Sequence, residues 1–384
     1  MERIGTAVIG GGAVGCAVLL ELARAGLENL FLFERMRAVG EVQSARNSGV
    51  VHAGIYYKTG SLKAELCAEA NALMYEFCRA HGVPISNVGK LVVATSDEEL
   101  ESLEAILLQA RANGVPGVRL LTRREVKGLE PNVDVPAALH VPTTRIVDAA
   151  RYTRTLADLA REAGAHVLTS FEVTGIEPRG GLFVVTGRRG DREETFEAET
   201  LVNAAGLHCD TVARMVNPAL VVDVVPLRGE YCKLNRGKHP GLWLNGFNVY
   251  PVPEPLDVRG EATKMVGVHL TPTFAMTRGG GVAVGDTITV GPEFRCVTER
   301  DDYERNRKPP GFFLARAKRF LPSLELADLE LDFAGIMVHC KGMQDFTIRR
   351  DELHPSCVQL LGIDSPGLTC SLAIARRVRR LLAA

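Results

Sequence analysis

The chain has 384 residues, of which 46% are hydrophobic and 24% are charged, and its formal net charge is −1. A chain of this length and composition is typical of a globular protein with two or three domains. Nothing in the charge balance favours a nucleic-acid partner, and the apolar runs are shorter than the roughly 20 residues that span a bilayer.

The nine cysteines are scattered and form no Cys-x-x-Cys pair. Their odd number and wide spacing indicate reduced thiols rather than a disulfide framework or a zinc site. His208, Cys209 and Asp210 are adjacent in sequence, and three consecutive side chains rarely converge on one ion, so we predict no metal site. No signal peptide is recognised before the first strand. We therefore expect a cytoplasmic protein.

The first patterned stretch is AVIGGGAVGCAVLLELARAGLENLFLFE at positions 7–34. An apolar strand leads into Gly10, Gly12 and Gly15, and an apolar helix and a second strand follow. Gly10 allows a tight turn, Gly12 lets the backbone approach a pyrophosphate, and Gly15 lets helix and strand pack closely. The helix N-terminus offers N–H groups to phosphates, and Glu34 lies where a carboxylate accepts from ribose hydroxyls. The stretch predicts a dinucleotide site.

The other elements are predicted from hydrophobic periodicity and turn residues. In chain order they are helix 61–82, strand 90–95, helix 96–114, strand 118–121, helix 122–129, helix 149–164, strand 165–170, an antiparallel meander through 172–176, 183–187 and 195–198, strand 200–205, a β-rich region over 221–297, helix 301–321, strand 357–362 and helix 365–383. Dinucleotide-type βα pieces thus occur at the start, middle and end of the chain, with β-rich material between them.

This interleaving predicts an α/β fold in which a Rossmann-like FAD-binding domain alternates with a β-rich substrate domain, an antiparallel sheet with helices. A nicotinamide enzyme built from one contiguous dinucleotide domain fits the order poorly. A flavoprotein fits it, because its N-terminal motif binds the ADP half of FAD and its C-terminus returns to the flavin ring. We predict the FAD-binding domain at 1–88, 143–218 and 335–384, and the substrate domain at 89–142 and 219–334.

The stretch QSARNSGVVHAGIYYKTGSLKAELC (43–67) closely resembles the L-2-hydroxyglutarate dehydrogenases and oxidases. These belong to the FAD-dependent superfamily of glycerol-3-phosphate dehydrogenase and D-amino-acid oxidase. The resemblance continues through GKLVVAT (89–95), PLRGEY (226–231), YPVP (250–253) and GVHLTP (267–272), and it spans almost the whole chain. It implies oxidation of a 2-hydroxy acid to the 2-oxo acid by hydride transfer to flavin N5.

The resemblance also implies cofactor contacts. VNAAG (202–206) resembles the element that closes over the FAD phosphates, and SPGLT (365–369) resembles the loop whose helix end faces the flavin and stabilises its anionic reduced form. Short polar groups near position 46 could bond the ribityl chain or the ring, or simply belong to a surface loop. The candidate cofactor residues are Gly10, Gly12, Gly15, Glu34, Ser44, Asn47, Ser48, Val173, Ala205, Gly206, Ser365, Gly367, Leu368 and Thr369.

Oxidation of a 2-hydroxy acid needs a base for the hydroxyl proton and partners for the carboxylate. His52 and His269 lie inside the family-like motifs, and histidine suits the base because its pKa is near working pH; the sequence does not decide between them. Arg228 and Tyr57 are candidate carboxylate partners, since guanidinium groups match carboxylates. Arg228 could equally be a surface cation on a strand.

The segment AGIMVHCKG (334–342) departs from the family pattern, in which an arginine stands where this chain has Met337. If that arginine grips a substrate carboxylate, Met337 removes a charge-assisted bond of about 1.5–3 kcal/mol, for which His339 or Lys341 could compensate. A more apolar 2-hydroxy acid therefore becomes credible. So does an amine, and an amino-acid or secondary-amine oxidase needs no dedicated base. A third alternative is a flavin-binding subunit without catalysis.

The electron acceptor stays open among oxygen, a quinone and an electron-transfer protein. The basic tail ARRVRRLL (375–382) could touch a membrane surface, which would place the protein at the periphery of the inner membrane. Arginines near a helix C-terminus are the more ordinary explanation, because they interact favourably with the helix dipole.

Overall fold

The computed structural model describes residues 2–235, 239, 242, 244–278 and 281–383. Eight residues of the β-rich region predicted over 221–297 lie outside this description, namely 236–238, 240, 241, 243, 279 and 280.

The elements of the first half alternate between strands and helices. They are β1 (Glu2–Ile9), α1 (Ala13–Arg24), β2 (Leu30–Phe33), β3 (Val50–Val51), α2 (Leu62–Ala80), β4 (Ile85–Ser86), β5 (Lys90–Ala94), α3 (Leu100–Ala112), β6 (Arg119–Thr122), α4 (Arg123–Leu129), β7 (Ala137–Val141), β8 (Arg145–Val147), α5 (Ala149–Glu162), β9 (His166–Leu168), β10 (Glu172–Arg179), β11 (Leu182–Arg189) and β12 (Arg192–Asn203).

The second half is richer in strands. Its elements are α6 (Cys209–Val216), β13 (Val224–Asn235), β14 (Asn248–Pro251), β15 (Glu254–Val258), β16 (Glu261–Met265), β17 (His269–Met276), β18 (Val282–Cys296), α7 (Pro310–Ala317), β19 (Leu329–Cys340), β20 (Thr347–Arg350), β21 (Cys357–Leu361) and α8 (Gly367–Ala383). Short 3-10 turns occupy Asp97–Glu99, Gly206–His208 and Leu326–Asp328.

The first sheet has the strand order β10-β11-β12-β1-β2-β9, and β20 and β21 join it beside β12. β1 runs parallel to both β2 and β12. These central strands are apolar because both faces are covered: α1, α2, α5 and α8 pack on one side, and an aromatic cluster with α6 packs on the other. The carboxyl ends of β1, β2 and β12 therefore meet at one edge, where ligands of such sheets bind.

The second sheet has the order β19-β13-β18-β17-β14-β5-β7-β6 and is antiparallel except for the parallel pair β14–β5. Its apolar clusters pack against α4 and α7 and against α3. A separate two-stranded hairpin, β15–β16, and a small sheet of β3, β8 and β4 complete the fold. The predicted α/β class, with a Rossmann-like part and a β-rich part that alternate along the chain, is confirmed.

The strand β19 changes one predicted boundary. The FAD-binding domain was predicted to resume at 335, but that residue lies inside β19, which pairs with β13 from Val224↔Cys340 to Leu234↔Leu329. Residues 335–340 thus belong to the second sheet. Neither β19 nor β20 was predicted from the sequence.

The helix predicted over 301–321 is wrong in its first part. The helix α7 begins only at Pro310, and residues 301–309 form an irregular loop. Pro309 and Pro310 have no backbone N–H to donate, so the helix starts where a missing donor costs nothing. The loop before α7 is held by Arg228 instead, because the backbone oxygens of Asp302 and Arg305 accept hydrogen bonds from its guanidinium group.

Candidate active site

A cavity of about 1660 Å³ is lined by the strand ends of the first sheet and by side chains of the second. Gly10–Gly12, Glu34 and Ala204–Gly206 line one part of it, and Tyr231, Tyr250 and His269 line another. The volume exceeds the about 300–1,000 Å³ of usual small-molecule pockets. The cavity therefore has room for a dinucleotide together with a substrate.

The glycine loop after β1 forms a cradle that side chains would fill. A Cβ on Gly15 would overlap the carbonyl oxygen of Gly10, and one on Gly10, whose φ is +109°, would lie 2.5 Å from the oxygen of Ala204. Gly12 is the N-cap of α1 and supplies no side-chain cap. Gly10–Gly12, Ala13 and Val14 line the cavity, so the N-terminus of α1 faces it, and this arrangement fits a pyrophosphate.

Glu34 holds this loop in place. Its Oε2 accepts from the N–H of Gly11 at 2.7 Å, and its Oε1 accepts from the N–H of Met36, also at 2.7 Å. The carboxyl group lines the cavity, and each oxygen keeps a second acceptor site. The contact with a ribose hydroxyl stays a prediction.

The polar residues near position 46 have different surroundings. Ser44 accepts from the N–H of Ala13 at 2.9 Å, so it lies at the phosphate end of the cavity. Asn47 donates to the carbonyl oxygens of Gln43 and Ser44 and accepts from Gly49, so its amide is engaged within its own loop. Ser48 lines the cavity together with Tyr231 and Tyr250 of the second sheet.

The C-terminal loop SPGLT reaches the same cavity, and its contact with the flavin stays a prediction. The helix α8 begins at Gly367, and Thr369 is fully buried, where its hydroxyl accepts from the N–H of His52 at 3.0 Å. Of the other predicted cofactor residues, those that line this cavity are Val173, Ala205, Gly206, Ser365 and Leu368. The N-terminus of α8 thus lies beside a predicted catalytic histidine.

His269 presents an imidazole nitrogen with no partner. Its Nδ1–H donates to the carbonyl oxygen of Gly267 at 2.9 Å, so the neutral ring carries its lone pair on Nε2. That nitrogen is buried and has no hydrogen-bond partner in the described part of the chain. Burial and, to a smaller extent, the charge of Lys90 lower the pKa of His269 to about 3. The residue lines the cavity as a neutral acceptor.

His52 is held differently. Its Nε2 lies 3.3 Å from the Ser365 hydroxyl. Burial, followed by the charges of Lys90 and His269, lowers the pKa of His52 well below its ordinary value. His52 is therefore attached to the loop that precedes α8, and Tyr57 lines the same cavity.

The structure adds residues that sequence reasoning missed. Lys90 is 1% exposed, and its Nζ lies 3.8 Å from the centroid of the Tyr250 ring. Tyr250 in turn stacks on His269 with 3.7 Å between ring centroids. A lysine that opens the otherwise apolar strand KLVVA was the available signal, because lysine is almost never fully buried without a reason.

Comparison with known proteins identifies the family of the chain. A profile of the family described as FAD dependent oxidoreductase matches residues 6–381. The L-2-hydroxyglutarate dehydrogenase of Indibacter alkaliphilus is 30% identical, over 97% of this chain and 96% of that protein. The mitochondrial L-2-hydroxyglutarate dehydrogenase of Arabidopsis thaliana is 32% identical, over 98% of this chain and 83% of that protein.

The chain belongs to the FAD-dependent oxidoreductase family. Among solved structures, the FAD-bound L-alpha-glycerophosphate oxidase of Mycoplasma pneumoniae superposes with a TM-score of 0.84 at 27% identity, covering 100% of this chain and 96% of that one. FAD is thus the cofactor, as the sequence predicted. The glycine cradle and the N-terminus of α1, which both line the cavity, fit its phosphates.

In this oxidoreductase Arg228 does not face the cavity, which corrects its predicted role as a carboxylate partner. The side chain is fully buried, and all three guanidinium nitrogens are engaged. Nε and Nη2 donate to Glu230, Nη2 also donates to the oxygen of Arg305, and Nη1 donates to the oxygen and the carboxylate of Asp302. Arg228 ties β13 to the loop before α7.

Replacing Arg228 by Met is therefore expected to destabilise the fold by about 3–5 kcal/mol, because Glu230 would remain as an uncompensated buried charge. Urea denaturation measures this loss. Lys233→Met, which removes an exposed lysine of the same strand, is the control and should change the free energy of unfolding by less than about 1 kcal/mol. A stable R228M variant with a raised KM would instead support the contact between Arg228 and substrate that the sequence predicted.

The region of Met337 lines the cavity, and neither proposed substitute for an arginine is free. The Met337 side chain packs in an apolar cluster with Met265 and Phe294. His339 Nε2 lies 3.3 Å from Glu261 Oε2, and Lys341 donates to the carbonyl oxygen of Arg259 at 3.2 Å. Met337 thus adds an apolar surface to the cavity, beside the His339–Glu261 pair and Lys264, which also line it.

None of the helices within the described residues is long and apolar enough to cross a membrane. In the basic tail, Arg376 pairs with Glu69 at 3.1 Å, and Arg379 pairs with Glu21 at 3.0 Å. These pairs tie α8 to α2 and α1.

Proposed function

We propose that this oxidoreductase oxidises the hydroxyl-bearing carbon of an L-2-hydroxy acid and releases the 2-oxo acid. The observation that carries the proposal is the unpartnered Nε2 of His269 in the cavity wall. Bound FAD supplies the hydride acceptor. The hydroxyl proton moves to Nε2 of His269, and the C–H hydrogen leaves with its electron pair, so that a carbonyl forms.

The fixed tautomer of His269 favours alcohol oxidation over amine oxidation. An amine that binds in its neutral form needs no dedicated base, whereas a hydroxyl must lose its proton as the hydride leaves. The bond from Nδ1–H to Gly267 keeps Nε2 as the acceptor, and the two dehydrogenase relatives bear names for a 2-hydroxy acid substrate. His52 contributes by holding Ser365 and the start of α8.

Anaerobic mixing of the FAD-loaded protein with a set of compounds tests the proposal. The set contains L- and D-2-hydroxyglutarate, L-lactate, L-2-hydroxyisocaproate, glycerol 3-phosphate, glycine and L-proline. We expect an L-2-hydroxy acid to bleach the flavin absorbance, with formation of one 2-oxo acid for each flavin reduced. If only an amino acid bleaches it, the amine alternative replaces the proposal. If no compound does, the proposal fails.

The identity of the acid depends on the Met337 wall, so Met337→Arg is the informative substitution. We expect the variant to favour L-2-hydroxyglutarate over L-2-hydroxyisocaproate by about 10- to 100-fold more than the wild type, because a charge-assisted bond to the distal carboxylate contributes about 1.5–3 kcal/mol. The ratio of kcat/KM for the two acids measures the change.

The control for Met337→Arg is Met337→Leu, which keeps the apolar wall and should leave that ratio within about threefold of the wild type. An M337R protein with an unchanged ratio and an intact flavin spectrum would show that the distal end of the substrate lies elsewhere in the cavity.

We propose a cytoplasmic location and leave the acceptor of the flavin electrons as oxygen, a quinone or an electron-transfer protein. The Arabidopsis relative is named as mitochondrial, so fractionation of the source cells is the test of location. Reoxidation of the reduced protein by oxygen, by a soluble quinone and by ferricyanide, compared in rate, distinguishes an oxidase from a dehydrogenase.

A further inference from the structure

Lys90 is a buried cation without a counterion. Its side chain is 1% exposed, and it forms no ion pair in the described part of the chain. Its Nζ lies 3.8 Å from the ring centroid of Tyr250 and 5.6 Å from that of Tyr56. Aromatic faces stabilise an ammonium group only in part, and burying a charge without a partner is costly. Because burial of Lys90 costs free energy of folding, we infer that this lysine has a functional role.

The Tyr250 ring connects this lysine to the proposed base. Lys90 contacts Tyr250, and the same ring stacks on His269 at 3.7 Å. The titratable groups that face the lysine are the phenols of Tyr56 and Tyr250, the imidazoles of His52 and His269, and the thiol of Cys67. Burial raises the pKa of both phenols, so neither supplies a negative charge. The ammonium therefore acts mainly on the two imidazoles.

We propose that Lys90 is a positioning residue that keeps His269 unprotonated until an anionic substrate enters the cavity. The proposal rests on the function proposed above, since it concerns the base of that reaction. The Tyr250 ring holds the ammonium and the imidazole together, and the substrate carboxylate provides the negative charge that the free protein lacks.

The charges of Lys90 and of the substrate carboxylate set the protonation state of His269 before and after the substrate binds. Burial lowers the pKa of Lys90 to about 7, so the lysine is mostly charged below about pH 6, where a histidine takes up its proton. Its repulsion adds to burial and holds His269 neutral. A bound carboxylate offsets that repulsion, and Nε2 then becomes more basic at the moment when the substrate hydroxyl needs a proton acceptor.

The test measures histidine protonation directly in the FAD-loaded protein labelled with ¹³C-histidine. Comparison with His269→Asn assigns the His269 signal by NMR. We expect this signal to remain that of a neutral ring above about pH 5 in the wild type. In Lys90→Met its midpoint should rise by at least one pH unit, since a unit charge within several ångströms has an effect of this size. In Lys90→Arg the charge is kept, and the midpoint should stay near the wild-type value.

Lys233→Met is the matched control, because it removes an exposed lysine of the same sheet and should leave the His269 midpoint unchanged. The wild type supplies an independent measurement that needs no folded variant. Saturation with glutarate, a dicarboxylate without the reacting hydroxyl, should raise the midpoint by at least one pH unit.

An unchanged midpoint in K90M, or in the wild type with saturating glutarate, overturns the proposal and leaves Lys90 a purely structural role. The pH dependence of flavin bleaching by L-2-hydroxyglutarate adds a kinetic readout: the acid limb of kcat/KM should move upward in K90M. The proposed function has its own test, because its failure would appear as absence of bleaching by any 2-hydroxy acid, while the NMR titration could still be read.

Discussion

Replacing His269 by Asn is expected to slow anaerobic flavin reduction by a 2-hydroxy acid by about 10²–10⁴-fold, the range for loss of a general base. Asparagine keeps a donor for the carbonyl oxygen of Gly267 but removes the acceptor at Nε2. The loss should therefore appear in the rate of bleaching. The absorbance spectrum of the oxidised flavin should remain unchanged. Stopped-flow spectroscopy under anaerobic conditions measures both quantities.

His81→Asn is the control, because His81 is an exposed residue at the C-terminal end of α2, and it should leave the rate within about twofold. His52→Asn is the discriminating comparison. Because His52 is attached to Ser365 beside α8, we expect its loss to change the flavin spectrum and to slow the reaction less than the loss of His269. The reverse order of the two rates would make His52 the base.

Replacing Gly15 by Ala should yield a folded protein that does not retain FAD. The added Cβ would overlap the carbonyl oxygen of Gly10, so the turn and the first turn of α1 must move apart. Each charge-assisted hydrogen bond lost from the phosphates then costs about 1.5–3 kcal/mol, which is at least about tenfold in affinity. The flavin absorbance of the purified protein and fluorescence titration with FAD measure the loss.

Gly128→Ala in α4 is the matched control, because a Cβ there meets no atom within 4 Å, and alanine favours a helix. This variant should bind FAD as the wild type does. Circular dichroism verifies that G15A is folded. A folded G15A protein with unchanged affinity for FAD would show that the phosphates do not lie at the N-terminus of α1.

Much of the fold could be read from local patterns. The strand, glycine turn and helix of residues 7–24 each follow from short-range preferences, and the buried parallel strands appear as continuous apolar runs because both of their faces are covered. The first part of the helix predicted over 301–321 could not be read in this way. Its loop conformation depends on bonds to Arg228, which lies more than 70 positions earlier in the chain.

The candidate site also has features that follow from local sequence and features that depend on the tertiary structure. The sequence alone determined the class of cofactor, because Gly10, Gly12 and Gly15 act through backbone geometry that their own spacing specifies. It also named both histidines. Only the tertiary structure showed their different surroundings, in which Nδ1 of His269 bonds Gly267 and its ring stacks on Tyr250, and our proposal of His269 as the base rests on this difference.

Charged side chains were the hardest to interpret from sequence, because burial and partners decide their roles. Arg228 stands in a family-like motif, yet contacts with Glu230 and Asp302 make it structural. Lys90 looks like an ordinary strand residue, yet it is buried beside the proposed base without a counterion. The sequence by itself determined the FAD-binding fold and the chemical class of the reaction. The tertiary structure alone decided the pairing of charges and supports the proposed choice of base, because both depend on contacts between residues distant in sequence.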